Sequence, residues 1–241
     1  YYITHGGDTG LRISPLNEPT AQGDAITTFN DYQFHEVDDL SPAKVGRRWF
    51  GNRFDIQDEQ SYVFEFPNIV QGSDVSVDVN VASASESPTS MAVSLNGTAI
   101  DPINFGTISG STLLSYRPSS QNAAPYIVPA SGETVTVNLL YNNGGNPSSI
   151  GYLDYIRVGA ERHLVAGSEQ FSFRYNLAAT NFGVGVYSIT NASQITQVWD
   201  VTNTSAIAAK ANNEAASTFS FKAALGAVSY THLRAHETLD H

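Results

Sequence analysis

Cysteine is absent from the 241 residues, so this chain holds no disulfide, no thiolate metal ligand and no cysteine nucleophile. Basic residues are scarce: 12 Lys+Arg stand against 23 Asp+Glu, a formal net charge of −11. That balance leaves no basic patch large enough to neutralise a phosphate backbone, and nucleic acid is excluded as a partner. Long apolar runs are missing too. Nothing approaches the roughly eighteen continuous apolar residues of a membrane-spanning helix. Methionine occurs once, at Met91, and the chain opens Tyr1-Tyr2-Ile3, which reads as internal to something longer.

What is present is hydrophobic residue at 41%, with abundant Ser, Thr, Asn, Gly and Val, the composition of short strands joined by polar turns. From residue 61 onward apolar and polar residues alternate with period two, which puts one face of each strand on a core and the other in water. Tyr62, Phe64 and Phe66 alternate up to Pro67; Val75, Val77, Val79 and Val81 alternate with Ser76, Asp78 and Asn80. Met91, Val93 and Leu95 lead into Asn96-Gly97, the dipeptide best suited to a tight hairpin turn. Val135, Val137 and Leu139 follow, then a strand from Tyr152 through Ile156 and Val158. A second set comprises Phe171, Phe173 and Tyr175; Val184, Val186 and Ile189; Val198 to Val201; and Phe219, Phe221 and Leu225. The run Ala206 to Ala211 has helix propensity but is too short to stand alone.

The pattern predicts an all-β protein: an antiparallel β-sandwich or jelly roll over 28–165, followed by a second, smaller β domain over 166–228. Residues 1–27 read as a loop-rich lead-in from a truncated upstream region. Residues 229–241, Ser-Tyr-Thr-His-Leu-Arg-Ala-His-Glu-Thr-Leu-Asp-His, closely resemble translated sequencing-adaptor DNA at the end of a metagenomic read and are set aside as a non-native tail. The zinc-like spacing of His232, His236 and Glu237 on a helix is set aside with them.

Two stretches concentrate chemistry. His35-Glu36-Val37-Asp38-Asp39 is an acidic turn. A structural calcium ion held by its carboxylates is the lesser alternative to a solvated turn, because the Asp-x-Asp-x-Asp-Gly spacing of a dedicated loop is lacking. Gly46-Arg47-Arg48-Trp49-Phe50-Gly51 couples two guanidinium groups to two aromatic rings, a set that stacks on a sugar or grips a carboxylate. The alternative is a strand anchored by Trp49 and Phe50, with Arg47 and Arg48 paired to nearby acids. Elsewhere the signals are weak. Gly6-Gly7-Asp8-Thr9-Gly10 has no strand, helix or lysine around it to make a phosphate loop, and no Gly-x-Ser-x-Gly occurs. His163, between strands, has no visible nucleophile. The candidate contact residues are therefore His35, Glu36, Asp38, Arg47, Arg48 and Trp49, with no catalytic residue, no metal ligand and no other cofactor expected.

Taken in order, Phe34-His35-Glu36-Val37-Asp38, Gly46 to Gly51 with Phe54, Gly151 to Val158, Gln170 to Arg174 and Val198-Trp199-Asp200-Val201-Thr202 resemble the region ahead of the catalytic domain in the PorU-type sortases of the type IX secretion system. These are gingipain-type cysteine peptidases of the Bacteroidetes. The resemblance implies an exported parent protein at the outer membrane and cell surface that removes sorting domains from secreted cargo and joins the cargo to lipopolysaccharide. Its catalytic Cys and His would lie beyond this chain, and none of the family's catalytic residues matches a position here. The partners implied are the downstream peptidase domain of the same parent chain, and secretion cargo or translocon proteins. A carbohydrate-binding jelly-roll module, using Trp49, Tyr152 and Tyr155, is the alternative.

Overall fold

The computed structural model describes residues 12–42, 48–108, 117–118, 125–168, 170–226 and 232–237. In chain order the strands are β1 (Ser14–Pro15), β2 (Asp24–Ile26), β3 (Thr28–Glu36), β4 (Arg53–Phe54), β5 (Glu59–Glu65), β6 (Asp74–Ala84), β7 (Thr89–Leu95), β8 (Thr98–Phe105) and β9 (Arg117–Pro118). They continue as β10 (Tyr126–Pro129), β11 (Thr134–Asn142), β12 (Ile150–His163), β13 (Phe171–Arg174), β14 (Gly183–Thr190), β15 (Ile195–Asp200), β16 (Ala208–Ala211), β17 (Thr218–Leu225) and β18 (His232–Glu237). The only helical pieces among the described residues are short 3₁₀ turns at Asn176–Ala179 and Ala192–Gln194. The protein is all-β.

It divides into two compact units, one spanning Asp31–Arg162 and the other joining the described residues up to Asn30 with those from His163 onward. The Asp31–Arg162 unit is a sandwich. One sheet runs β3, β12, β6, β10, and the other runs β5, β11, β7, β8. The alternating valines of β6 and the Ile156 and Val158 of β12 are buried against Tyr62, Phe64, Met91, Val93, Val137 and Leu139 from the second sheet. Each of these side chains is one that period-two alternation places inward. The β7–β8 hairpin closes on Asn96 and Gly97, both at positive φ (48° and 79°), and the Asn96 side chain accepts a hydrogen bond from the Thr136 amide. Phe50, Ala82 and Tyr152 form a separate small cluster on the outer side of β6 and β12.

The second unit is built differently. Its three-stranded sheet, β17, β14, β2, pairs β14 antiparallel to β17 and parallel to β2 (Gly185↔Asp24, Tyr187↔Ile26). Other strands of this unit pair in the order β1, β16, β15, β18, β13. Rings dominate its core: Phe29, Phe173, Tyr187, Phe219 and Phe221 are buried together, and Tyr187 stacks on Phe221 at 5.0 Å with the rings 4° apart.

Several expectations change. Val184 and Val186 were expected inward on β14, but Gly185, Tyr187 and Ile189 take the core face. A Cβ at Gly185 would meet the Ile26 and Leu225 side chains, so the space belongs to them. The Ala206–Ala211 run, with its helix propensity, ends as strand β16, paired along its length to β15. Residues 14–15 and 24–26, within the expected lead-in, are β1 and β2 and pair with the C-terminal strands. The tail set aside in the sequence supplies β18, whose backbone pairs with β13 on one side and β15 on the other. Backbone ladders need no particular side chain. On a strand, His232 and His236 lie roughly 13 Å apart, which removes the one-turn spacing a helix would offer.

Candidate functional site

β3 and the approach to β4 carry most of the sequence-predicted positions. His35 is half-buried on β3; its Nε2 lies 3.1 Å from Asn52 Oδ1 and its ring 4.6 Å from that of Tyr62. Its contacts are structural ones. Glu36 and Asp38 are exposed at the end of β3 and just past it. Arg48 reaches Asp154 on β12, Nε to Oδ2 3.8 Å, a long, half-solvated pair worth at most about 1 kcal/mol. Burial holds the Asp154 carboxyl above its ordinary range; Arg48 opposes that shift, and Glu36 and Asp38 add to it. The fold thus gathers Glu36, Asp38, Arg48 and Asp154 into one electrostatic neighbourhood. Trp49 is 43% exposed while its neighbour Phe50 is fully buried, so the chain anchors through Phe50 and presents Trp49 outward. Arg47 lies outside the described residues, as do Gly6 to Gly10.

Asp154 was not singled out in the sequence. The register of β12 against β6 jumps between Leu153 and Tyr155, and the bulge leaves Asp154 without an opposite residue and turns it toward Arg48. A polar residue amid Tyr152, Leu153, Tyr155 and Ile156 was the available signal. Tyr152 is only 6% exposed and packs on Phe50 at 5.5 Å, so it is withdrawn from the sugar-stacking role considered for it. Among the described residues no three His, Asp or Glu side chains group closely enough to hold a metal ion.

A second arrangement was invisible in the sequence. A cleft of about 390 Å³ opens in the unit containing β2, β14 and β17. Asp24 and Ile26 come from β2, Leu225 from β17, and Tyr175, Asn181 and Phe182 from the connection between β13 and β14. Parallel pairing of β2 with β14 brings these segments together, and Gly23 permits it: a Cβ there would stand 1.9 Å from the Val184 carbonyl oxygen. The connection is tied down by the Asn181 amide donating to the Leu177 carbonyl (2.8 Å) and the Gly226 amide donating to that of Ala178 (2.8 Å). Phe182 is 87% exposed, with its ring laid on Gly226, where a Cβ would stand 2.7 Å from Cδ1.

With the geometry described, the backbone can be set beside known proteins. It superposes on dimeric latent PorU from Porphyromonas gingivalis with a TM-score of 0.74 at 16% identity, over 93% of this chain and 22% of that one. The fold is PorU-like. At that identity the likeness concerns the fold, and the chain spans about a fifth of the length of the protein it matches. Two calcium- or xylan-related modules align far less well: the CBM36-1 domain of a multidomain xylanase from the hindgut metagenome of Trinervitermes trinervoides (TM-score 0.32, 12% identity, 58% of this chain and 99% of that one) and a carbohydrate-binding module CBM36 in complex with calcium and xylotriose (0.30, 16%, 55% and 99%). No family model matches the chain, and no curated protein does. The PorU-like fold covers both compact units, and no helix among the described residues is long and apolar enough to cross a membrane.

Proposed function

We propose that this chain is a non-catalytic β-rich region of a sortase-type cysteine peptidase that works at the cell surface on type IX secretion cargo. The observation that carries the reading is the alignment of nearly the whole chain with a fraction of PorU, at a TM-score of 0.74. The ordered segments from Phe34 to Thr202 support it independently, and the lack of cysteine is consistent with chemistry placed elsewhere in the parent. Within such a protein the two β units support or orient the peptidase domain, or contact cargo or translocon. The acidic surface around Glu36, Asp38 and Asp154, with Trp49 exposed nearby in the sequence, is the part of the Asp31–Arg162 unit suited to a basic or aromatic partner surface.

The test is the parent gene. Genomic sequence read beyond codon 228 is expected to encode an α/β peptidase domain with a His and a Cys, and the purified chain alone is expected to hydrolyse no peptide. A downstream region without such a domain sinks the reading. So does peptide turnover by this chain that a single substitution in it abolishes.

A further inference from the structure

The cleft beside β2 has a lining that selects among ligand chemistries. Asp24 carries no ion pair among the described residues. Asn181 presents an amide that both donates and accepts, and Thr180, whose hydroxyl donates to the Leu177 carbonyl (3.3 Å), keeps its lone pairs to accept. Tyr175 and Phe182 supply rings, and Ile26 and Leu225 an apolar floor. An anionic ligand would meet the Asp24 carboxylate in a chain of net charge −11. A guanidinium or ammonium group answers Asp24 but only donates, so it cannot also accept from the Asn181 amide. A wholly apolar ligand would strip water from Asp24 and Asn181 without replacing it.

A neutral polyhydroxylated ring meets every requirement. Each hydroxyl donates and accepts at once, so one can donate to the Asp24 carboxylate while another accepts from Asn181. The C–H face of the ring lies against an aromatic face whose electron-rich side favours it. A volume of about 390 Å³ falls within the range of small-molecule sites and holds a single ring with its substituents. Phe182 is mounted for that task. Its ring is 87% exposed, and Gly226 and the bonded 175–182 connection hold it beside the cleft.

We infer that this cleft is a binding site for a neutral pyranose, on the unit that contains β14, whereas the residues considered for sugar stacking in the sequence belong to the other unit. The site stands apart from the peptidase reading: absence of a downstream peptidase domain leaves it intact, and absence of sugar binding leaves that reading intact. The experiment uses the whole 241-residue chain in saturation-transfer NMR and titration. The probes are the methyl glycosides of glucose, galactose, mannose and N-acetylglucosamine, with methyl glucuronide and arginine amide as the charged arms. At least one neutral glycoside is expected to bind, weakened at least about tenfold by Asp24→Asn and by Phe182→Ala, restored by Phe182→Tyr and unmoved by Trp49→Ala. Asp24 and Phe182 are exposed, so both variants keep the fold, which circular dichroism verifies. Absence of transfer to every neutral glycoside overturns the inference. Tighter binding of the glucuronide or of arginine amide does so as well, as does neutral-sugar binding that survives both cleft variants.

Discussion

The two units solve the problem of a β core with different materials. In the Asp31–Arg162 sandwich, aliphatic side chains from β6, β11 and β12 fill most of the interior, and a buried polar cluster between the sheets is bonded throughout: Ser83 Oγ lies 2.8 Å from Thr89 Oγ1 and 2.7 Å from the Tyr141 hydroxyl. The other unit packs ring on ring, and its fully buried Tyr187 hydroxyl has no hydrogen-bond partner, with burial pushing its ionisation far upward. Stacking Tyr187 on Phe221 fixes the ring where its hydroxyl finds nothing to bond. Around Tyr187 the rings are fixed by shape, and the hydroxyl goes where the ring takes it.

The strongest way to break this comparison is a core deletion in each unit. Phe64→Ala and Phe173→Ala are each expected to cost about 3–5 kcal/mol in urea unfolding. The ring-specific part shows in Leu substitutions. Phe173 lies within 6.4 Å of the rings of Phe29, Phe171, Tyr187 and Phe221, so Phe173→Leu should cost more than Phe64→Leu. Equal costs would remove the distinction between the cores.

Removing a hydroxyl from each unit sharpens the contrast, because the signs are opposite. Tyr141→Phe takes a partner from Ser83 and is expected to lose about 1 kcal/mol. Tyr187→Phe discards an unpaired buried group and is expected to gain about 1 kcal/mol. Destabilisation by both substitutions would mean that the Tyr187 hydroxyl is bonded after all.

The smallest effect concerns Asp154. Its folded carboxyl holds its proton to higher pH than the ordinary value of 3.8, so the folded state binds more protons than the unfolded one just above that pH, and stability falls as pH rises through the window. Asp154→Asn is therefore expected to match the natural chain below about pH 3.8 and to be the more stable of the two at neutral pH. A natural chain more stable than Asp154→Asn at neutral pH, by a margin that vanishes toward acid, would show that Arg48, not burial, governs the group.

Much of the sandwich was legible in advance because alternation is a local signal. Val75 to Val81 face inward because successive side chains on a strand point to opposite sides, whatever the partners. The same reading failed on β14, where both phases carry apolar residues and the choice fell to Gly185 making room for Ile26 and Leu225. The acidic turn was visible as composition, but the fourth member of its neighbourhood, Asp154, required the bulge in β12. Tyr152 was a stacking candidate whose burial the sequence could not show, and in the fold it is covered by Phe50.

The sequence by itself determined the all-β class, the inward faces of the regular strands, the Asn96-Gly97 hairpin and the impossibility of cysteine chemistry in this chain, because each depends on residues at short range or on none. Only the tertiary structure decided which residues meet. Asp24 and Phe182 share a cleft because β2 lies parallel to β14, and a parallel pair is never a hairpin: its strands come from distant parts of the chain, and no local pattern announces their register.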